Sequence, residues 1–270
     1  MKEFVSTFKH AMHKGHRYHI CVSYQDPYTN KDLREIRAML PQANIGFMTE
    51  PRKVPKGPLF NFVEARIHSL SLVNGMSDYI IWCDDDFRFT DGASTKLGLT
   101  AGQRYQDAID YLEANPACGI VQMTGHLGGS QFGRKVIPIF GGFMETALGL
   151  VLRGRKRGYK DLIDPRLKVI GGGSDPAVMM TAVANGYYIA KTFNTPINKD
   201  HTKKLFVANG KSKVNLTDDP SYNHEYLIKK GVHAKISELF GEYRHGKKFS
   251  KEILATYRKA ATAKGIEVLA

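Results

Sequence analysis

Asp84, Asp85 and Asp86 stand together directly behind the apolar run "YIIWC" of residues 79–83. Three adjacent carboxylates repel one another, and a solvated turn has no need of so apolar an approach. A cation offsets that repulsion. Two carboxylates one residue apart at a strand end suit a hard divalent ion, with water and substrate phosphates completing its oxygen shell. Such an ion also acts as a Lewis acid on a phosphate leaving group. In strand geometry Asp84 and Asp86 project alike, and Asp85 projects opposite. A charged, solvent-exposed turn is the plainer alternative, and it leaves the lead-in unexplained.

A second acid stands in "GGGSDPAVMM", residues 171–180. Ser174 reads as a helix N-cap with Pro176 just inside the helix, so Asp175 sits where the helix dipole favours a carboxylate. That is a capping role. The chemical alternative is a general base, reached closely by backbone and acceptor because of the glycines beside it. His201 follows Asp200 in the polar stretch "INKDHTKK" and is the one histidine downstream of these acids that invites a metal role. His10, His13, His16 and His19 recur every third residue, but their segment contains a glycine and has no cysteine nearby, which is not a zinc pattern. "NGKS" at 209–212 lacks the glycine of a P-loop, since Leu205 stands in its place. There is no HExxH, no GxSxG and no dinucleotide glycine fingerprint.

These residues need elements to position them. "YHICVSY" (18–24), "NIGFMTE" (44–50) and "DYIIWCDD" (78–85) read as buried strands, with helical stretches "KDLREIRAML" and "LFNFVEARIHSLSLVNG" between them. "AGQRYQDAIDYLEANP" (101–116) predicts a helix, "CGIVQMTG" (118–125) a strand, and residues 174–192 a helix running into a short strand. Residues 136–152 mix both signals. The alternation predicts an α/β protein whose parallel sheet is covered by helices on both faces, with ligands at the carboxyl ends of its strands. The aspartate triplet lies at such an end.

The totals frame the partners. Of 270 residues 42% are hydrophobic, enough for one large core, and no apolar run approaches the ~20 residues of a membrane span. The N-terminus lacks an apolar signal-peptide centre, and three isolated cysteines suit a reducing compartment, so a soluble, cytoplasmic protein is expected (in the host cytoplasm if viral). Lys and Arg number 39 against 26 Asp and Glu, a formal charge of +13, gathered at 153–160, 203–213 and 243–251. That balance favours a polyanion, because phosphate contacts release condensed counterions.

The apolar strand followed by "DDD" resembles the DxD region of glycosyltransferases with the GT-A fold, particularly those like family 2. Further segments match in order. "YHICVSYQDP" resembles their first strand, and "GPLFNFVEARIHSL" resembles the helix with their "G…ARN.G" signature, although Ile67 replaces the asparagine. "GGGSDPAVMMTAVANGYYIAKT" resembles their "G.ED..L..R....GY.I" segment, with Ser174 in place of Glu. The likeness spans roughly residues 18–202. It implies a Rossmann-like GT-A core over 1–202, with a mostly parallel central sheet flanked by helices. Residues 203–270 would then form a basic, mainly helical extension packed on that core.

It also implies roles. Asp26 contacts the base, Asp84 and Asp85 face the nucleotide, and Lys56 and Arg66 add positive charge near the phosphates. Asp86 and His201 hold Mn²⁺ or Mg²⁺ on the diphosphate of a UDP-sugar donor. Asp175 removes the acceptor's proton, and a lone base opposite the leaving group implies inversion. A basic transferase without a membrane anchor points to DNA as acceptor. The precedent is the virus-encoded, bacteriophage-type enzymes that glycosylate hydroxylated or hydroxymethylated pyrimidines, flipping the base from the duplex. Arg153, Arg155, Lys156, Arg157, Lys203 and Lys204 would hold the DNA backbone. The rival reading is a metal-dependent nuclease or nucleotidyltransferase using the same aspartates on nucleic-acid phosphates. A third is a DNA-binding module with a vestigial carboxylate cluster.

Overall fold

The computed structural model describes residues 2–24, 29–39, 45–51, 77–83, 87–92, 97–116, 118–124, 133–138, 149–154, 182 and 187–199. Their elements are α1 (Lys2–Thr7) with a 3-10 turn (Phe8–Ala11), β1 (Tyr18–Tyr24), α2 (Asn30–Ala38), β2 (Ile45–Pro51), β3 (Tyr79–Trp82) and β4 (Phe87–Phe89). Then follow α3 (Ala101–Ala114), β5 (Cys118–Gln122), β6 (Val136–Pro138), β7 (Leu150–Arg153), β8 (Tyr188–Thr192) and β9 (Ile197–Lys199).

β1 and β2 pair in parallel, from Tyr18 opposite Ile45 to Tyr24 opposite Pro51. Parallel neighbours need a crossover, and α2 lies within it. α2 starts at a reciprocal capping box: Asp32 N donates to Thr29 Oγ1 at 3.1 Å, and Thr29 N donates to Asp32 Oδ2 at 3.1 Å. Those donors, with Lys2 beside them, hold the Asp32 carboxyl below the usual carboxylate range.

The largest sheet has five strands in the order β3-β7-β5-β8-β6. The expectation of a mostly parallel sheet is corrected among the described residues: β5–β8 is parallel, whereas β3–β7, β5–β7 and β6–β8 are antiparallel. The reason lies in residues 136–152, where helix and strand signals mix. The stretch begins with β6 and ends within β7, and both run against their neighbours. β6 ends at Pro138, which a sheet-edge strand tolerates because one side needs no ladder donor. The α/β class holds.

α3 starts at a second capping box, with Gln103 N donating to Thr100 Oγ1 at 3.2 Å and Thr100 N to Gln103 Oε1 at 2.8 Å. Its buried residues Ala101, Arg104, Tyr105, Ala108 and Leu112 recur at helical spacing and form one stripe. That stripe packs on the sheet face bearing Tyr79, Cys83 and Arg153. Tyr79 Oη donates to Glu113, the Tyr105 hydroxyl faces the Cys83 thiol, and Arg153 Nη2 donates to Asn115 O at 3.1 Å. Burial, with that thiol adding, pushes the Tyr105 hydroxyl well above its ordinary pKa.

Arg104 is fully buried. Its Nη1 donates to Asp107 Oδ2 at 2.5 Å and to Arg134 O at 2.7 Å, and its Nη2 donates to Phe193 O at 2.9 Å. A buried cation requires such partners. Through them α3 holds the β8–β9 connection, where Asn194 adopts φ 55° and its Nδ2 donates to Gly133 O at 3.3 Å. No helix among the described residues is long and apolar enough to cross a membrane. The extension expected over 203–270 lies outside the described residues.

Candidate functional site at the carboxyl edge of the sheet

The aspartate triplet lies outside the described residues, but both chain ends that hold it are described. On one side is β3. It is antiparallel to β7, which is antiparallel to β5, and β5 is parallel to β8. Hence β3, β5 and β8 all run the same way and end along one edge. Register aligns Trp82, Leu150, Gln122 and Lys191 as a row across that edge. Gly149 precedes β7 with φ 122°, and a Cβ there would stand 3.0 Å from Trp82 O. Glycine lets β7 approach β3 one residue before the triplet's lead-in ends.

On the other side is β4, antiparallel to β9, with Phe87 opposite Lys199 and Phe89 opposite Ile197. The backbone entering Phe87 from the triplet and the backbone leaving Lys199 towards Asp200 and His201 therefore share one end of this ladder. Side chains from the N-terminal segment fix β4 in place. Phe89 N donates to Thr7 Oγ1 at 3.2 Å, and Arg88 Nη2 meets Glu3 Oε2 at 2.5 Å. Phe89 packs edge-on against Phe4, Phe8 and Tyr105, at ring-centroid distances of 5.3, 5.9 and 6.3 Å. Phe8 also meets the β1 residue Tyr18 at 5.7 Å, and Lys2 Nζ meets the α2 residue Glu35 at 2.5 Å. Nothing in the periodicity of residues 1–19 announces this clamp.

A group of polar residues was also missed. Register partners share a face, and faces alternate along each strand. Since Tyr79, Cys83 and Arg153 face α3, the row of Trp82, Gln122 and Lys191 occupies the opposite face. Gln122 is fully buried, Lys191 is 6% exposed, and Thr124, two residues beyond Gln122, is 4% exposed. The ladder continues past β5 through Met123 N, which donates to Gly149 O at 2.9 Å, and Thr195 N donates to Thr124 O at 2.9 Å. Lys191 Nζ lies 5.3 Å from the centroid of the Phe193 ring, a cation–π arrangement. Thr124 Oγ1 is buried with no hydrogen-bond partner. Such a group costs about 1–3 kcal/mol. The signal was present in "CGIVQMTG": Gln122 and Thr124 place polar groups at every second position of a strand that is otherwise apolar.

Of the residues singled out from the sequence, Asp26, Lys56, Arg66, Asp84, Asp85, Asp86, Arg155, Lys156, Arg157, Asp175, His201, Lys203 and Lys204 lie outside the described residues. Arg153 does not, and its expected DNA contact is corrected. It is 7% exposed, with Nε donating to Cys118 O at 2.9 Å and Nη2 to Asn115 O. Its guanidinium anchors the start of β5. Among the described residues no group of three or more His, Cys, Asp or Glu is arranged to hold a metal ion. His13 and His16 stand with rings 5.8 Å apart, and His16 Nε2 meets Gln106 Oε1. Burial pushes the Cys21 thiol up to about 11 and the Cys118 thiol up to about 12, so neither is a nucleophile at neutral pH.

No protein-family model matches the sequence, and no curated protein matches it significantly.

Proposed function

We propose that this chain is a metal-dependent glycosyltransferase of the GT-A kind, moving a sugar from a UDP-sugar to a hydroxyl acceptor with inversion. One observation carries the reading. Three strands running the same way end along one edge, and the triplet leaves the sheet there, in the crevice where α/β proteins collect nucleotide ligands. The β4–β9 register lends further support, because the segments leading to Asp86 and to His201 depart from the same end of one ladder.

The donor set fits a hard dication. Asp86 offers carboxylate oxygen and His201 an imidazole nitrogen, with Asp84 and Asp85 turned to the nucleotide. Mn²⁺ or Mg²⁺ bound there would neutralise the charge that develops on the departing diphosphate. Asp26 contacts the base, and Lys56 and Arg66 add positive charge around the phosphates. Asp175 takes the proton of the acceptor hydroxyl as its oxygen bonds to the anomeric carbon. The bond from that carbon to the diphosphate breaks, and UDP leaves with the electron pair. Attack opposite the leaving group inverts the anomeric centre.

The acceptor we propose is a hydroxylated or hydroxymethylated pyrimidine in DNA. The support is the formal charge of +13 and the cationic runs beside the proposed base. Arg155, Lys156, Arg157, Lys203 and Lys204 remain in that role, and Arg153 leaves it.

The test pairs calorimetry with turnover. UDP-glucose should bind in the presence of Mn²⁺, and Asp86→Ala should abolish that binding. Asp175→Asn should keep donor affinity and lose on the order of a hundredfold or more in turnover. Metal-dependent cleavage of DNA without sugar transfer would replace this reading with the nuclease.

A further inference from the structure

The buried polar row opposite α3 is not explained by the fold alone. Trp82, Gln122 and Lys191 lie side by side at the carboxyl edge, and Thr124 extends the row one step outward. A sheet face covered only by packing would carry apolar side chains at such positions. Thr124 Oγ1 is withdrawn from solvent without a partner, which is the state of a group whose partner arrives with a ligand.

Position tells which part of the ligand. β5 lies two strands from β3 in the sheet order. Neighbouring strands are ~4.8 Å apart, so the exit of β5 lies ~10 Å from the exit of β3 along the edge. With the diphosphate held at the triplet, a group that far along the edge lies on the side of the transferred sugar. A sugar presents hydroxyls, each able to donate and accept. A threonine hydroxyl and a glutamine amide match that pattern, and neither is selective for phosphate.

We infer that Thr124, on the floor formed with Gln122 and Lys191, binds a hydroxyl of the transferred sugar and helps select which sugar is used. This inference rests on the glycosyltransferase reading. A site built around a hydrogen bond to a substrate hydroxyl rejects analogues that lack it, because its own polar group is then left unpaired.

The test is a calorimetric comparison of UDP, UDP-glucose, UDP-galactose and UDP-N-acetylglucosamine, each with Mn²⁺. Thr124→Val keeps the shape and removes the hydroxyl. It should bind UDP like the parent and lose about 3- to 10-fold in affinity for the parent's preferred UDP-sugar. Its melting temperature should be unchanged or higher, since an unpaired buried hydroxyl is gone. Thr124→Ser should keep the parent's ratio of UDP-sugar to UDP affinity, and it serves if the valine variant folds poorly. Thr192→Val is the control on the opposite face, where the hydroxyl already meets Thr195 Oγ1 at 3.2 Å, and its ratio should not move. An unchanged ratio in Thr124→Val overturns the inference. So does an equal loss for UDP and UDP-sugar, or a loss confined to binding of acceptor DNA. If the parent binds no uridine nucleotide in the presence of metal, the proposed function falls, and this inference with it.

Discussion

The two ends of the aspartate triplet are held in different ways. β3 belongs to a five-stranded sheet, and a continuous backbone ladder with β7 fixes it. β4 is a three-residue strand in a two-stranded ladder with β9. So short a ladder is not stable by itself. What fixes β4 is side-chain packing: Phe87 and Phe89 are almost fully buried, at 1% and 2% exposure, and the N-terminal segment closes over them. One end depends on backbone hydrogen bonds, the other on a few aromatic rings. The comparison predicts that single substitutions damage the second end more.

The largest effect should come from Phe89→Ala. It removes the ring at the centre of the cluster with Phe4, Phe8 and Tyr105, and should cost about 3–5 kcal/mol in urea unfolding. A loss below ~1 kcal/mol would mean that the ladder alone holds β4. Next comes Arg153→Ala, at the last residue of β7. It removes two charged hydrogen bonds to buried carbonyls and should cost about 1.5–3 kcal/mol. DNA affinity and its salt dependence should stay as in the parent. A flatter salt dependence with unchanged stability would return Arg153 to the phosphate-binding set. The smallest effect is Glu3→Gln. The Arg88–Glu3 pair is 19% and 54% exposed, so its loss should cost roughly 0.2–1 kcal/mol and shrink further in added salt.

The same contrast governs what the sequence made legible. Tyr18–Tyr24 is bounded as its apolar run suggests, and Cys118–Gln122 and Ala101–Ala114 fall within the expected segments. Local periodicity reports which positions are buried. It does not report strand direction or partner, so the mixed order around β7 was invisible. Nor could it pair Phe4 and Phe8 with Phe89, since those contacts join distant parts of the chain. Arg153 misled because it opens the run "RGRKRGYK", and a cation in a basic cluster reads as solvated. A buried arginine stem with carbonyl partners at a strand end leaves no compositional mark. Gln122 and Thr124 were the opposite case. Their alternation was plain, but only the sheet register revealed that the polar side is buried.

The antiparallel pairing of β4 with β9 has a consequence for synthesis on the ribosome. Phe87 and Phe89 emerge more than a hundred residues before Lys199 and Ile197, their partners. At about 5–20 residues per second, the nascent chain carries these two rings for ~6–20 s before the second strand exists. β3 waits similarly for β7, and β5 for β8. Such a topology has high contact order and folds slowly once the last strand is free. The aromatic N-terminal segment, made first, is able to cover Phe87 and Phe89 during that interval. It therefore acts as a built-in holdase until translation delivers β9.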